Sequence, residues 1–198
     1  GIQPNRKVDL GRGKFEYTLT DEEGKLNLNT ATPEQLRIIF QNAGVESEDA
    51  DIIVDSIQDW RDTDDLHMLN GAEDDYYESL DRPYSCKDGP FELKEELLLV
   101  KGMTPEIFFG SAPAKEDEEV TYQRIGDYFT TFGTGTVSDI NRQTASQAVL
   151  EAVLGPVEAN LIITQRKEGV SGTAQSGKTV SEFFNILSTG FNGDGTIK

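Results

Sequence analysis

The sequence has 198 residues, of which 36% are hydrophobic, so it can bury one good core or two small ones. Its formal charge at pH 7 is −18, because 36 Asp and Glu residues stand against 18 Lys and Arg residues. Nucleic acids and anionic membrane surfaces bind clustered basic residues, so this charge argues against both as partners. Protein or metal partners are expected instead.

The first 29 residues predict a small β-region. Residues 14–19 (KFEYTL) and 25–29 (KLNLN) alternate polar and apolar side chains, and each segment follows a turn-rich stretch. Two short strands are only marginally stable by themselves. We therefore expect them to pair with a later part of the chain or with a segment outside this sequence.

Two helices are predicted next. Thr32 is an N-cap, Pro33 occupies the first helical position, Gln35 can reach back to the cap, and Gly44 ends the first helix. The second helix begins at Ser47. Its apolar residues recur at helical spacing and are expected to pack in the core: Ala50, Ile53, Ile57 and Trp60.

Shorter elements follow. A third helix is predicted over residues 91–100, with its apolar face buried, and a fourth begins after the cap at Thr104 and Pro105. Residues 111–119 are expected to form an exposed loop and residues 128–135 an extended segment. The residues expected on the buried face of the third helix are Leu93, Leu97 and Val100.

The second half of the chain echoes the first helix pair. Residues 139–150 (DINRQTASQAVL) parallel residues 27–36 (NLNTATPEQL) if Arg142 and Gln143 are an insertion. Gly155 then takes the part of Gly44, a helix follows over residues 156–165, and a last short helix is predicted over residues 181–187. Such an echo predicts two related helical units.

Residues 59–78 carry eight carboxylates and a single basic residue, Arg61. Like charges at this density repel each other and raise carboxyl pKa values unless something neutralises them. The segment can be a solvated loop, can pair with bases elsewhere, or can hold a hard cation. Its acids form two clusters, residues 62–65 and 73–75, which could close around an ion.

The spacing within this segment partly matches a calcium loop. Leu66 and His67 stand where the helix-loop-helix calcium motif needs an acid and a glycine, so we reject the motif itself. The oxygen ligands, with little nitrogen or sulfur among them, still indicate calcium rather than zinc. Four residues fall at positions one, three, nine and twelve of the calcium-loop spacing: Asp62, Asp64, Asn70 and Glu73.

The sequence contains few residue combinations suited to catalysis. His67 and Cys86, the only residues of their types, flank different ends of an irregular segment, so a Cys-His pair is not expected. No aromatic sugar platform accompanies the paired carboxylates, and residues 133–135 and 176–179 lack the spacing of a phosphate-binding loop. The sequence is therefore interpreted as non-enzymatic. The alternative function is an acidic helix-hairpin-helix binding module for DNA or protein.

Four segments resemble the K-type minor pseudopilin of the type II (general) secretion pathway. In order they are residues 24–31 (GKLNLNTA), 57–64 (IQDWRDTD), 71–77 (GAEDDYY), and 96–97 (EL) with 100–103 (VKGM), and the agreement in order runs from residue 14 to about residue 187.

That resemblance implies a structural protein of the inner membrane and periplasm. It implies an anchoring hydrophobic N-terminal helix outside this sequence, a small pilin-like sheet and a large helical insertion, at the tip of a pseudopilus with the I-type and J-type minor pseudopilins. The family binds Ca²⁺ in its helical domain. Carried onto this sequence, the calcium ligands are Asp62, Asp64, Glu73 and Asp74, with Asp59 and Asp65 beside them.

The fold class predicted is mainly α with a small β part (α+β), with two helical-hairpin, SAM-like subdomains inserted in or attached to a fragmentary pilin-like sheet. The predicted divisions are the strand pair 1–29, the first helical subdomain 30–110, a linker 111–135, the second helical subdomain 136–188 and a tail 189–198.

Overall fold

The computed structural model of the protein describes residues 6–10, 12–17, 19–111, 122–133 and 140–167. The predicted last helix at 181–187, and the predicted loop beyond residue 111, lie outside the described residues. Strands are β1 (Arg6–Leu10), β2 (Gly13–Tyr17), β3 (Leu26–Asn27) and β4 (Phe129–Thr130). Helices are α1 (Pro33–Asn42), α2 (Ser47–Arg61), α3 (Asp74–Tyr77), α4 (Pro105–Phe109), α5 (Gln147–Leu154) and α6 (Pro156–Lys167).

The strands form two small, separate pairs. β1 and β2 make an antiparallel hairpin, and β1 was not among the predicted strands. β3 pairs in parallel with β4, so residues 26–27 find their partner about a hundred residues later, within the segment predicted to be extended. Two residues per strand are too few to stabilise a sheet alone, so the surrounding helices must hold this pair in place.

The first helical hairpin forms as its sequence predicts. The Thr32 hydroxyl accepts the Gln35 amide, and the Gln35 side chain accepts the Thr32 amide, which completes a capping box at the start of α1. Gly44 adopts φ +94°, a conformation that an L side chain disfavours, and so turns the chain into α2. The predicted apolar face of α2 is buried, as are its partners on α1, Leu36, Ile39 and Phe40.

The third predicted helix is wrong in extent. The chain forms a 3-10 helix over Lys94–Leu99 only, and Leu93, expected in the core, is 59% exposed. The reason is the Glu96 carboxylate, which accepts the backbone amides of Glu92 and Leu93 and is paired with Lys87 at 2.7 Å. These bonds hold residues 92–93 outside the helix, while Leu97 and Val100 are buried as predicted.

The second helical hairpin repeats the first, but without the insertion assumed from the sequence. The Asn27 side chain accepts a hydrogen bond from the Asn29 amide. The backbone carbonyl of Asn27 accepts hydrogen bonds from the amides of Thr30 and Ala31. Asn141 makes the same bonds to the amides of Gln143, Thr144 and Ala145. Asn141 is therefore the equivalent of Asn27, and the aligned insertion of Arg142 and Gln143 was wrong.

An arginine closes each hairpin in the same way. Arg61, the last residue of α2, donates to the carbonyls of Leu28 at 2.6 Å and Ala31 at 2.9 Å. Arg166, near the end of α6, donates to the carbonyls of Arg142 and Ala145, the equivalents of Leu28 and Ala31 in the second hairpin. In both units the end of the second helix is thus tied to the turn before the first.

One apolar core runs through both hairpins. α1 packs against both α2 and α5, and the buried side chains of the two hairpins, of β3 and β4 and of the segment between form a single cluster. Among the described residues, no helix is both long enough and apolar enough to cross a membrane. The structure is thus α+β and mainly helical, as predicted.

Candidate metal site

The acidic segment lies between the end of α2 and the start of α3. Helical spacing places Asp55 and Asp59 on one side of the last turns of α2, where they bond the loop that follows, and Asp62 is the first residue beyond the helix. Glu73 is the N-cap residue of α3, and Asp88 comes from the connection after it. Side chains that are distant in sequence therefore meet at one end of α2.

Asp59 organises the loop from inside the protein. Its side chain is fully buried, and its carboxylate accepts the amides of Met68 at 3.1 Å and Ala72 at 2.8 Å. A side chain at Gly71 would place its Cβ 1.7 Å from the Asp59 carboxylate, so only glycine fits there. Burial raises the pKa of Asp59. The two backbone hydrogen bonds lower this pKa and the nearby charges of Asp62 and Asp55 raise it, so the net shift is upward.

Glu73 is the unsatisfied group of the site. The residue is only 4% exposed, yet its Oε1 atom has no hydrogen-bond partner among the described residues. Burial, reinforced by the charges of Asp59, Asp62 and Asp88, raises the pKa of Glu73 to about 7, although the neighbouring Cys86 thiol opposes the shift. A buried, ionised carboxylate beside other carboxylates is costly unless a proton or a cation neutralises it.

Cys86 and Asp88 complete a small cluster. Ligand atoms of Glu73, Cys86 and Asp88 all lie within 4.8 Å of one another. Asp88 adopts φ +50°, an unusual conformation for a residue with a side chain, and it remains exposed to solvent. The cluster is therefore open to solvent on the Asp88 side and closed on the side of Glu73 and Cys86.

The wall of the cluster is aromatic. Trp60 meets Tyr77 edge to face with ring centroids 5.3 Å apart, and Tyr84 stacks on Tyr77 at 5.3 Å. Cys86 lies at this wall, where burial raises the pKa of its thiol to about 12. Tyr77 and Tyr84 lie close enough to the Cys86 thiol to contribute to its desolvation.

Nearby basic side chains are engaged elsewhere. Arg61 donates to backbone carbonyls and to Gln58, and Lys87 pairs with Glu96. The Lys101 ammonium donates to the carbonyls of Asn70 and Gly71 at 3.1 and 2.8 Å. Among the described residues, none of these three cations forms an ion pair with Asp59, Asp62 or Glu73. The structure therefore does not show pairing with basic side chains, one of the three alternatives for the segment, at these three acids.

The donor set fits calcium better than zinc. The arrangement offers carboxylate oxygens from several residues, the ligands that Ca²⁺ prefers. Zinc favours thiolate and imidazole ligands. Among the described residues the cluster offers one thiol, that of Cys86, and no imidazole, since His67 lies outside it with Nδ1 3.0 Å from the Met68 carbonyl.

The six predicted ligands lie in three different settings. Asp59, Asp62 and Glu73 are electrostatically coupled at the cluster. Asp64 and Asp65 are exposed, and Asp64 accepts the Leu66 amide. Asp74 accepts the Cys86 amide at 2.7 Å and so fixes the position of the thiol. The six-residue set stays a prediction.

Sequence reasoning missed Asp88 as a member of the cluster. It was interpreted as part of a turn-rich connection, and only its position before Gly89 and Pro90 could have drawn attention to it. Its approach to Glu73, 15 residues earlier, depends on how the connection folds back over α2, which no local pattern predicts.

Taken together, the structure shows a mainly helical α+β fold in which one hairpin design occurs twice and acidic side chains gather at the end of α2. Residues 17–113 match the family model described as "Type II secretion system (T2SS), protein K". Over these residues the chain matches the K-type minor pseudopilins, as the resemblance of its motifs predicted.

Curated relatives carry the same description. "Type II secretion system protein K" of Klebsiella pneumoniae is 27% identical over 174 residues, which cover 81% of this chain and 49% of the relative. The protein of that description from Pectobacterium carotovorum subsp. carotovorum is 34% identical over 121 residues, covering 54% of this chain and 37% of the relative. The chain thus spans half or less of the length of these relatives.

A solved structure has the same fold. One chain of the crystal structure of the GspK-GspI-GspJ complex from the enterotoxigenic Escherichia coli type 2 secretion system matches with a TM-score of 0.59. The match covers 91% of this chain and 61% of that chain at 20% sequence identity. At that identity the likeness shows the fold, which confirms the predicted fold class.

Proposed function

We propose that this chain is the periplasmic part of a non-enzymatic minor pseudopilin that assembles with the I-type and J-type minor pseudopilins at the tip of a type II secretion pseudopilus. The family match carries the proposal, and the structural relative was solved as part of the GspK-GspI-GspJ complex. An N-terminal hydrophobic helix outside this sequence anchors the protein in the inner membrane.

Calcium is the second part of the proposal. Glu73 holds the ion together with Asp62 and Asp88, while Asp59 keeps the loop in place. The observation that supports it is the buried Oε1 of Glu73, which is unpartnered among the described residues and lies within reach of other carboxylates. Bound calcium neutralises the cluster and so favours the folded state, since the unfolded chain does not assemble these ligands.

Calcium should raise the melting temperature of the purified chain, and a chelator should lower it. At a hundred times its dissociation constant the ion adds about 2.7 kcal/mol, which corresponds to a rise of about 5–10 °C for a chain of this length. Thermal unfolding followed by circular dichroism, with chelator, Ca²⁺, Mg²⁺ and Zn²⁺ in separate samples, measures the effect.

Two variants locate the calcium effect. Glu73→Gln should abolish the calcium response, whereas Glu78→Gln, which removes an exposed acid of the same segment, should retain it. A response to zinc alone would contradict the calcium assignment and favour a site built on Cys86. An unchanged melting temperature with every metal would contradict a metal site altogether.

Assembly is tested separately. The chain, mixed with the periplasmic parts of the I-type and J-type proteins of the same organism, should elute from gel filtration as a complex larger than any component alone. Elution of three intact, folded proteins at their individual volumes would contradict the proposed partners. This outcome would leave the metal proposal untouched, because the melting experiment uses the chain alone.

A further inference from the structure

Three apolar side chains next to the acidic cluster point into solvent. They belong to residues 66–69 (LHML), which we name the leucine loop. Leu66 is 79% exposed, Met68 is 43% exposed and Leu69 is 92% exposed. Elsewhere in the described residues the exposed large apolar side chains are mostly single, whereas here three fall within four positions. Isolated exposed leucines are ordinary, but a local group of them marks an interaction surface.

The backbone of the leucine loop is held in place. Met68 donates its amide to buried Asp59, and Asn70 donates both its amide and its side-chain nitrogen to Asp55 at 3.1 and 3.0 Å. Lys101 binds the carbonyls of Asn70 and Gly71 from the other side. Because these charged groups fix both the amides and the carbonyls, the leucines cannot fold back onto the core without breaking several charge-assisted bonds.

Exposed carboxylates precede the apolar side chains. Asp64 and Asp65 come immediately before Leu66. Asp62, two residues before Asp64, is half-buried, and Thr63 between Asp62 and Asp64 is exposed. Backbone bonds from Asp64 to Asp62 and from Leu66 to Asp64 keep these acids beside the leucines. The surface is therefore an apolar projection with an acidic border.

This border selects the kind of partner. A second copy of the chain would bring two acidic borders and two charges of −18 together, which costs free energy. Anionic lipid and nucleic acid are repelled for the same reason. A complementary surface needs an apolar cleft for Leu66 and Leu69 and basic side chains at its edge.

We infer that the leucine loop is a docking projection that inserts Leu66 and Leu69 into an apolar cleft bordered by Lys or Arg on a partner protein. Proteins associate in this way when a small, desolvated apolar centre supplies the affinity and complementary charges at the rim supply the rate and the specificity. The inference rests on the geometry of the loop alone and does not depend on the secretion role or on bound metal.

Site-specific photo-crosslinking tests this inference in the full-length protein, produced in its own bacterium. The photoreactive residue is introduced as Leu69→benzoylphenylalanine, with Leu66→benzoylphenylalanine as a second position. Leu161→benzoylphenylalanine is the matched control, because Leu161 is an exposed leucine on α6. Mass spectrometry of the adduct identifies the partner peptide.

A discrete protein adduct from positions 66 and 69, absent from position 161, is expected. Its crosslinked peptide should line an apolar cleft with Lys or Arg at the edge. When the photoreactive residue is at position 69, the additional change Leu66→Ser should reduce the yield of the adduct about tenfold. Burial of one leucine side chain in an interface contributes at least a tenfold gain in affinity.

The charge of the border is tested with a matched pair of lysines. Thr63→Lys places a positive charge among Asp62, Asp64 and Asp65 without removing a carboxylate, and should reduce the adduct about tenfold. Thr164→Lys on α6 should leave the yield unchanged. Both variants are compared with the parent by thermal unfolding, so that loss of folding is distinguished from loss of docking.

Three outcomes would overturn the inference. They are the absence of a discrete adduct from both loop positions, an adduct to a second copy of this chain or to lipid, and a yield that Thr63→Lys does not change in a folded protein. Formation of the complex with the I-type and J-type proteins is measured independently, so failure of the docking inference and failure of the proposed function remain distinguishable.

Discussion

Single residues of the acidic segment serve two distinct purposes. Asp59 is buried and satisfied by backbone amides, so it shapes the loop. Glu73 is buried and unsatisfied at Oε1 among the described residues, so the calcium proposal rests on it. The two acids therefore have different surroundings, although both are acids of the same segment in the sequence.

Gly71→Ala should destabilise the chain by about 2–4 kcal/mol, because a Cβ at 1.7 Å would force the Asp59 carboxylate away from its amides. Urea unfolding in the presence of chelator measures the loss without a contribution from metal. Gly89→Ala is the matched control, since its nearest contact would be an ordinary 3.7 Å. Equal stability of the two variants would mean that Asp59 is free to move.

At the scale of elements, the chain contains one hairpin design twice. Each unit has an asparagine turn, a hydroxyl N-cap and an arginine that ties the end of the second helix to the turn. Between α2 and α5 the first unit is followed by the acidic loop, the 3-10 helix over Lys94–Leu99 and α4. The candidate metal site and the leucine loop both belong to this intervening segment and have no counterpart within residues 140–167.

Arg61→Met and Arg166→Met should each destabilise their hairpin, by about 2–4 kcal/mol, because each leaves two carbonyls without their charged donor. Lysine is not expected to restore stability, since a single ammonium cannot reproduce the planar fork of donors. Chemical denaturation measures both, and Arg82→Met, at an exposed position, should change stability by less than about 0.5 kcal/mol. Unchanged stability of Arg61→Met would show that water satisfies these carbonyls.

For the whole molecule, charge decides which functions are compatible with the fold. The turn between α1 and α2 has the outline of a helix-hairpin-helix, a module that can grip phosphates. Here, however, Glu46, Glu48 and Asp49 are exposed at that turn. These acids would repel a phosphate at the turn, which is where a helix-hairpin-helix binds it. The nucleic-acid alternative therefore has no support in the structure.

The same charge makes stability depend on ionic strength. Repulsion within a chain of net charge −18 opposes the compact state, and salt screens it, so the melting temperature in chelator should rise as salt increases from about 0.01 M to about 0.1 M. Sodium chloride and tetramethylammonium chloride should act alike, because screening depends on ionic strength and a bulky cation cannot enter the acidic cluster. A rise with sodium alone would indicate site binding instead.

Local patterns predicted much of this protein. The capping residues Thr32, Pro33 and Gln35 predicted the start of α1, and the apolar spacing from Ala50 to Trp60 predicted the buried face of α2. Both succeeded because a capping bond or a helical face involves residues within a few positions of each other. The motifs of residues 57–64 and 71–77 also predicted the match to the K-type minor pseudopilins.

Individual side-chain hydrogen bonds and tertiary packing decided the rest, because apolar and capping patterns do not reveal them. The bonds of Glu96 shortened the predicted third helix and exposed Leu93. The bonds of Asn141, not residue similarity, set the true alignment of the repeat. Composition determined that the protein is strongly acidic, but the fold alone determined that Glu73 lies buried beside Asp88, because a carboxylate's environment depends on what packs around it.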